Sequence, residues 1–549
     1  MRTEEFCIWP VLTRTPIKNH LKSTTMLFNS YEFILLFIPA VAGLYYLFGH
    51  FGWYRAALSW LVLASLFFYG WWNPVYLLLL LISIGFNFLL GRTLSGMDNQ
   101  SRRRLVLIVG ISANLGALAY FKYANFFVDN INWMLGTGYH LKTIILPLAI
   151  SFFTFQQITF LVDAYRREIQ EPDFLSYCLF VTFFPQLIAG PIVHHSEMLP
   201  QFFRAQTFVF NHAHLAVGST IFIIGLFKKV VIADEIALHA TPMFNAARDF
   251  HPITFFEAWG GALAYTFQLY FDFSGYSDMA VGLAYLFGIR LPLNFYSPYK
   301  ASSIIEFWRR WHISLSRFLR DYLYIPLGGS YYGRTRRYTS LMVTMLLGGL
   351  WHGAGWTFVA WGALHGVYLC VNYAWRGLRQ VLGRQEIRHG WISFWLGRIM
   401  TFLAVVIAWV FFRSESFSAA TNILKGMLGL NGVALPTSYR GYLNNVASLG
   451  DYLQGVGWAF EPAVPHFGGP EQYLLLALLL LIVWFAPNTY QLLGGYSSAL
   501  DITHVTIRSQ PSSWIAWQPR ALWAIVVFAM FWWSIQAMDR TSEFLYFQF

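Results

Sequence analysis

Apolar runs of about 20 residues recur from near residue 31 to residue 538, and each has the length an α-helix needs to cross a hydrocarbon core. The runs lie near 31–50, 54–72, 74–91, 104–122, 144–161, 173–190, 215–237, 257–286, 339–356, 357–375, 394–413, 471–487 and 520–538. They define an all-α, polytopic membrane protein of about 10–13 helices, some of them tilted or half-spanning. Of the 549 residues, 57% are hydrophobic and 11% charged, where a soluble protein carries about 25% charged. Several soluble domains could not be covered by so few charges. The 23 Trp and 31 Tyr suit the two membrane interfaces, where one end of the ring is wet.

The net charge of +11 is concentrated in short loops, such as Arg102–Arg104 and Arg334, Arg336 and Arg337. That is the pattern of cytoplasmic loops, so no nucleic-acid partner is implied. Some of these residues remain available to an anionic ligand. Taking the 92–104 loop as cytoplasmic places Met26 outside. Cys7, Cys178 and Cys370 are scattered, which suggests neither a disulfide framework nor a zinc site. Residues 1–25 are polar and lack the apolar core of a signal peptide. They read as a mis-called start or a disordered leader, with 26–549 a single membrane-embedded domain. The stretches 430–470 and 488–519 read as extramembrane loops.

The centre of the chain is unlike an ordinary span. Ser303-Ile304-Ile305-Glu306 fits a capping box, and Ile305, Trp308, His312, Leu315 and Leu319 follow on a 3–4 spacing. Glu306, Arg309, Arg310, Arg317 and Arg320 occupy other faces, giving an amphipathic helix suited to the cytoplasmic interface. By itself His312 fits a buried, hydrogen-bonded histidine as well as a functional one. The arginines fit lipid anchoring or phosphate binding. His352 lies within an uncharged Gly- and Trp-rich span, where an ionisable group is a functional candidate or part of a helix-packing seam. Gly348, Gly349, Gly353 and Gly355 permit close backbone approach there, and His365 reads as structural. Asp272, Ser274, Ser277 and Asp278 form a further polar island. Its carboxylates are expected to act as scaffold, holding arginines or a histidine or lining a cavity.

Several blocks together resemble the bacterial polysaccharide-acylating branch of the membrane-bound O-acyltransferases. They are MLFNSYEF from Met26, LPLAISFFTFQQITFLVDAYR at 146–166 and FPQLIAGPIVHH at 184–195. DFSGYSDMAVGLAYLFGIRLPLNFYSPY at 272–299, FWRRWHISLSRFLRDYLYIPLGG at 307–329 and LWHGAGWTF at 350–358 continue it, to the terminal FLYFQF. Members of this branch O-acetylate alginate, peptidoglycan or cellulose, or transfer D-alanine to teichoic acids. The resemblance implies two functional histidines, His312 and His352, with His352 catalytic. It also implies a tunnel between a cytoplasmic donor and an extracytoplasmic acceptor, in the bacterial inner membrane. The implied donor is acetyl-CoA or a similar acyl thioester, with no permanently bound cofactor. The implied partner is a periplasmic acetyltransferase or esterase-like protein that passes the group to an exopolysaccharide or cell-wall glycan.

A buried neutral imidazole can take a proton from an attacking hydroxyl and return it to the leaving thiolate, and this scheme requires no metal. Arg309, Arg310, Arg317 and Arg320 are candidates for the phosphates of the donor. The tail Phe544-Leu545-Tyr546-Phe547 reads as an interfacial anchor or, by its likeness to C-terminal Phe-x-Tyr-Phe motifs in this branch, as an acyl carrier at Tyr546. The alternative from another class is a transporter or flippase, which should show paired half-sequence repeats. One unusual centre and no such pairing is what the sequence contains.

Overall fold

The computed structural model describes residues 26–142, 144–169, 173–383, 390–445, 448–494, 496 and 516–539. The leader 1–25 and the tail carrying Tyr546 lie outside the described residues.

Among the described residues, five helices are long and apolar enough to span a bilayer: Phe33–His50, Pro74–Gly96, Gln100–Leu135, His212–Arg248 and Trp391–Arg413. Gly469–Phe485 and Ala521–Ala537 are shorter apolar helices. Tyr54–Trp72, Phe255–Leu286, Gly333–His352 and Trp356–Val381 fall on four more of the expected spans. Large apolar side chains on the outer helices stay exposed, among them Leu36, Val75, Leu78 and Leu522. Apolar surface on this scale is what a lipid-facing bundle presents.

Local chemistry sets the helix ends. Asn73 accepts from Val75 N at 2.9 Å with Pro74 in the first turn, and Asn99 accepts from Arg102 N at 3.0 Å. Thr254 and Glu257 complete a capping box at the start of Phe255–Leu286. Two expected spans differ from the sequence reading. The 144–161 run becomes helical only at Ile150, after Pro147. The 173–190 run splits into Phe174–Thr182 and Phe184–Leu187, because Phe183 turns out of the helix (φ −49°, ψ 109°) and Pro185 enters a new first turn. The 430–470 stretch is also more ordered than a loop. Ala434–Pro436 pairs in parallel with Ala459–Glu461, and Asp451 ties two short helices together through Arg440 Nη2 at 2.8 Å. That guanidinium holds the exposed Asp451 carboxyl below its usual range.

At the centre, His212–Arg248 packs against Phe255–Leu286 through two glycine pairs. A Cβ on Gly225 would lie 2.5 Å from Gly275 O, and one on Gly282 would lie 2.6 Å from Gly218 O. The small-residue seam lets the two backbones touch. A π-helical segment, Lys228–Ala233, interrupts the first of these helices and turns two lysines inward.

Candidate active site

His352 is the last residue of Gly333–His352, and Gly353 and Gly355 join this helix to Trp356–Val381. The hairpin is tight because a Cβ on Gly349 would strike Phe358 O, and one on Gly362 would strike Met345 O. Gly353 is pressed on the Phe358 ring, while Gly355 is in ordinary contact. The imidazole is 7% exposed and packs against Trp351, Trp361 and Phe412, with ring centroids 4.9, 5.1 and 5.2 Å away.

The last carbonyls of a helix lack intrahelical partners. Here a second π-helical segment, Ala119–Tyr123, supplies them. Tyr123 OH donates to Leu350 O at 2.8 Å, and Lys122 Nζ donates to Trp351 O and, at 3.2 Å, to His352 O. A cation at a helix C-terminus is favourable, and this one fixes the turn that carries His352.

His312 reaches the same region from a different part of the chain. The single amphipathic helix expected from Ser303 is two short helices, Ile304–Trp308 and Ile313–Leu319. His312 joins them in the left-handed region, with φ 43°. Competition from a neighbouring strand-like segment breaks the helix. Tyr296 N donates to Arg310 O and Ile313 N donates to Asn294 O, both at 2.9 Å. Ser303 caps the first piece through Glu306 N at 3.3 Å, but the Glu306 carboxylate accepts from Ser302 N instead of completing the box. The pieces are folded into the bundle, with Ile305, Phe307, Leu315 and Phe318 buried. His312 is 1% exposed, and its ring lies 6.4 Å from that of Trp351. Both histidine rings therefore lie close to one indole.

The four arginines separate into two groups. Arg310 is buried and committed to the Glu306 carboxylate at 2.8 Å and to Tyr296 O at 3.0 Å. Arg317 reaches Glu197 at 2.5 Å. Arg309 is exposed, and Arg320, 58% exposed, meets the adjacent Asp321. Nearby, buried Asp163 accepts from Tyr322 OH at 2.9 Å and faces His195 Nδ1 at 3.1 Å. This cluster lies at the Arg102–Arg104 end of the bundle, because Arg103 Nη2 bonds to the carbonyls of Ala164 and Tyr165.

The polar island at 272–278 holds lysines, where arginines or a histidine had been expected. Lys228 Nζ lies 2.7 Å from Asp278, and Lys229 Nζ lies 2.7 Å from Asp272 and 2.8 Å from Asp234. The inward turn of the Lys228–Ala233 segment brings them there. His365 sits in aromatic packing and accepts from Trp308 Nε1 at 3.3 Å. Lys122, Asn294 and the lysine pair were missed in the sequence. Lysine in an otherwise apolar run, at Lys122 and at Lys228-Lys229, was the available signal, and Asn294 had none.

The fold and this site define a multi-pass membrane protein with two histidines buried among aromatic rings in its bundle. The model of the membrane-bound O-acyltransferase family matches residues 107–412. The chain is 46% identical over 441 residues to the peptidoglycan O-acetyltransferase of Helicobacter pylori, covering 76% of this chain and 82% of that protein. It is 43% identical over 411 residues to the probable alginate O-acetylase of Pseudomonas aeruginosa (73% and 75%). The corresponding protein of Pseudomonas syringae pv. tomato is 38% identical over 539 residues (95% and 100%). The chain belongs to the membrane-bound O-acyltransferase family, and it is a membrane-bound acyltransferase.

Proposed function

We propose that this enzyme O-acetylates an extracytoplasmic glycan, drawing the acetyl group from cytoplasmic acetyl-CoA or a similar acyl thioester. The observation that carries the reading is the pair His312 and His352, both buried and both close to the Trp351 ring, within the family-matching segment. The names of its relatives, peptidoglycan O-acetyltransferase and alginate O-acetylase, support a polysaccharide acceptor.

His352 acts as general base. Its ring takes the proton of an attacking hydroxyl as the oxygen adds to the thioester carbonyl. The C–S bond then breaks, and the ring returns the proton to the thiolate, releasing free CoA. The aromatic shell excludes water that would hydrolyse the thioester. Arg309 and Arg320 meet the donor phosphates at the cytoplasmic mouth, whereas Arg310 and Arg317 hold the loop through their carboxylates. Tyr546 carries the acetyl group as an aryl ester to a periplasmic acetyltransferase, and the enzyme resides in the bacterial inner membrane.

The test is acetyl-CoA bearing a labelled acetyl group, given to the purified protein in liposomes. Release of CoA with label held by protein or acceptor is expected. Movement of a glycan or carrier with the donor left intact would overturn the proposal in favour of a transporter.

A further inference from the structure

Asn294 is fully buried beside His312. Its carboxamide is oriented at both ends. Ser314 N lies 3.4 Å from Oδ1, and a backbone N–H can only donate, so the oxygen must face it. Ser314 Oγ accepts from Ile192 N at 2.9 Å, which leaves its own proton for Oδ1 at 2.6 Å. At the other end, Nδ2 donates to Ser277 Oγ at 3.3 Å. The same Oδ1 lies 3.3 Å from His312 Nδ1. Since Oδ1 only accepts, Nδ1 must carry a proton. In the neutral ring Nε2 is then a bare lone pair, and it is buried with no hydrogen-bond partner among the described residues. The backbone serves the same end: Ile313 N donates to Asn294 O and holds His312 in its left-handed conformation.

We infer that Asn294 is a positioning residue that fixes His312 in the Nδ1–H tautomer, so that Nε2 is presented as a hydrogen-bond acceptor for the acyl-accepting hydroxyl. The inference rests on the acyltransferase reading above. The hydroxyl has a single proton: it is donated to His312 Nε2 as the hydroxyl binds and turns to His352 as the oxygen attacks the thioester carbonyl, so the two rings act in sequence. Asn294→Asp keeps the acceptor, and Asn294→Leu keeps the approximate size without it.

The test combines kinetics with 15N spectra of protein labelled at histidine, the His312 signal being identified by its loss in His312→Gln. Wild type should show a protonated Nδ1 and a bare Nε2, as should Asn294→Asp. Asn294→Leu should lose this preference, and its kcat for CoA release should fall about 10- to 100-fold, the size of loss that follows when a metal-bound histidine loses the group that orients it. Its KM for acetyl-CoA should stay near wild type. A wild-type spectrum with Nε2 protonated would overturn the inference, as would Asn294→Leu with wild-type tautomer and kcat. The wild-type spectrum needs no substitution at Asn294, so a poorly folding leucine variant leaves the test intact. An active wild type with the wrong tautomer sinks this inference alone. An inactive wild type with the expected tautomer sinks the acyltransferase reading and leaves the positioning role.

Discussion

Replacing Asp278 by leucine should destabilise the protein severely, and removing its lysine as well should restore the part of the loss that the unpaired lysine causes. Asp278 accepts from Lys228 Nζ, Thr489 Oγ1 and Tyr490 OH, each at 2.7 Å. The Lys228 and Asp278 side chains are only 14% and 2% exposed. Removing one member of such a buried pair leaves an uncompensated charge, at about 3–5 kcal/mol. The hydrogen bonds from Thr489 and Tyr490 are lost in the single and the double variant alike, so they cancel when the two are compared. Leucine is close to aspartate in size, so a cavity contributes little. In Lys228→Met/Asp278→Leu both charges are gone, and a buried pair replaced by apolar residues is often neutral in stability. Thermal unfolding of the two variants in detergent, side by side with wild type, reads the difference. A double variant no more stable than Asp278→Leu would refute the reasoning, because the cost would then not lie in the unpaired lysine.

Three further outcomes are expected. Lys122→Met removes the cation from the end of the His352 helix and should lower stability by about 1–2 kcal/mol, with a fall in kcat, measured by thermal unfolding and CoA release. Arg309→Ala and Arg320→Ala should raise the KM for acetyl-CoA about tenfold, one charge-assisted hydrogen bond each, while Arg317→Ala, which breaks the Glu197 pair, should chiefly lower the melting temperature. Tyr546→Phe should nearly abolish polymer acetylation if the phenol carries the acetyl group and leave it near normal if the tail only anchors, with mass spectrometry of the C-terminal peptide as the independent check.

The spans were legible because an apolar run long enough to cross lipid has few alternatives, and the run at 54–72 is the helix Tyr54–Trp72. The broken helix at His312 was not legible. The 3–4 spacing from Ile305 to Leu319 is genuine, but it is overridden by hydrogen bonds to Asn294 and Tyr296, residues outside the periodic window. The partners of Asp272 and Asp278 were hidden for a related reason. Lys228 and Lys229 fall inside the expected span 215–237, but the sequence does not show which way they point, and the π-helical turn that follows Phe227 directs them inward. His352 could be found because an ionisable group in an apolar run is conspicuous, whereas His312, among arginines, was singled out by the family resemblance. Asn294, the residue that orients one of them, sits in a Pro- and Tyr-rich connection and carries no such mark.

The central claim is that His352 is the base for acyl transfer, and the direct measurement is CoA release from acetyl-CoA by His352→Ala beside wild type. The account predicts a variant that inserts and melts near wild type but turns over about 10²- to 10⁴-fold more slowly. A membrane-inserted His352→Ala protein that releases CoA at the wild-type rate would contradict it.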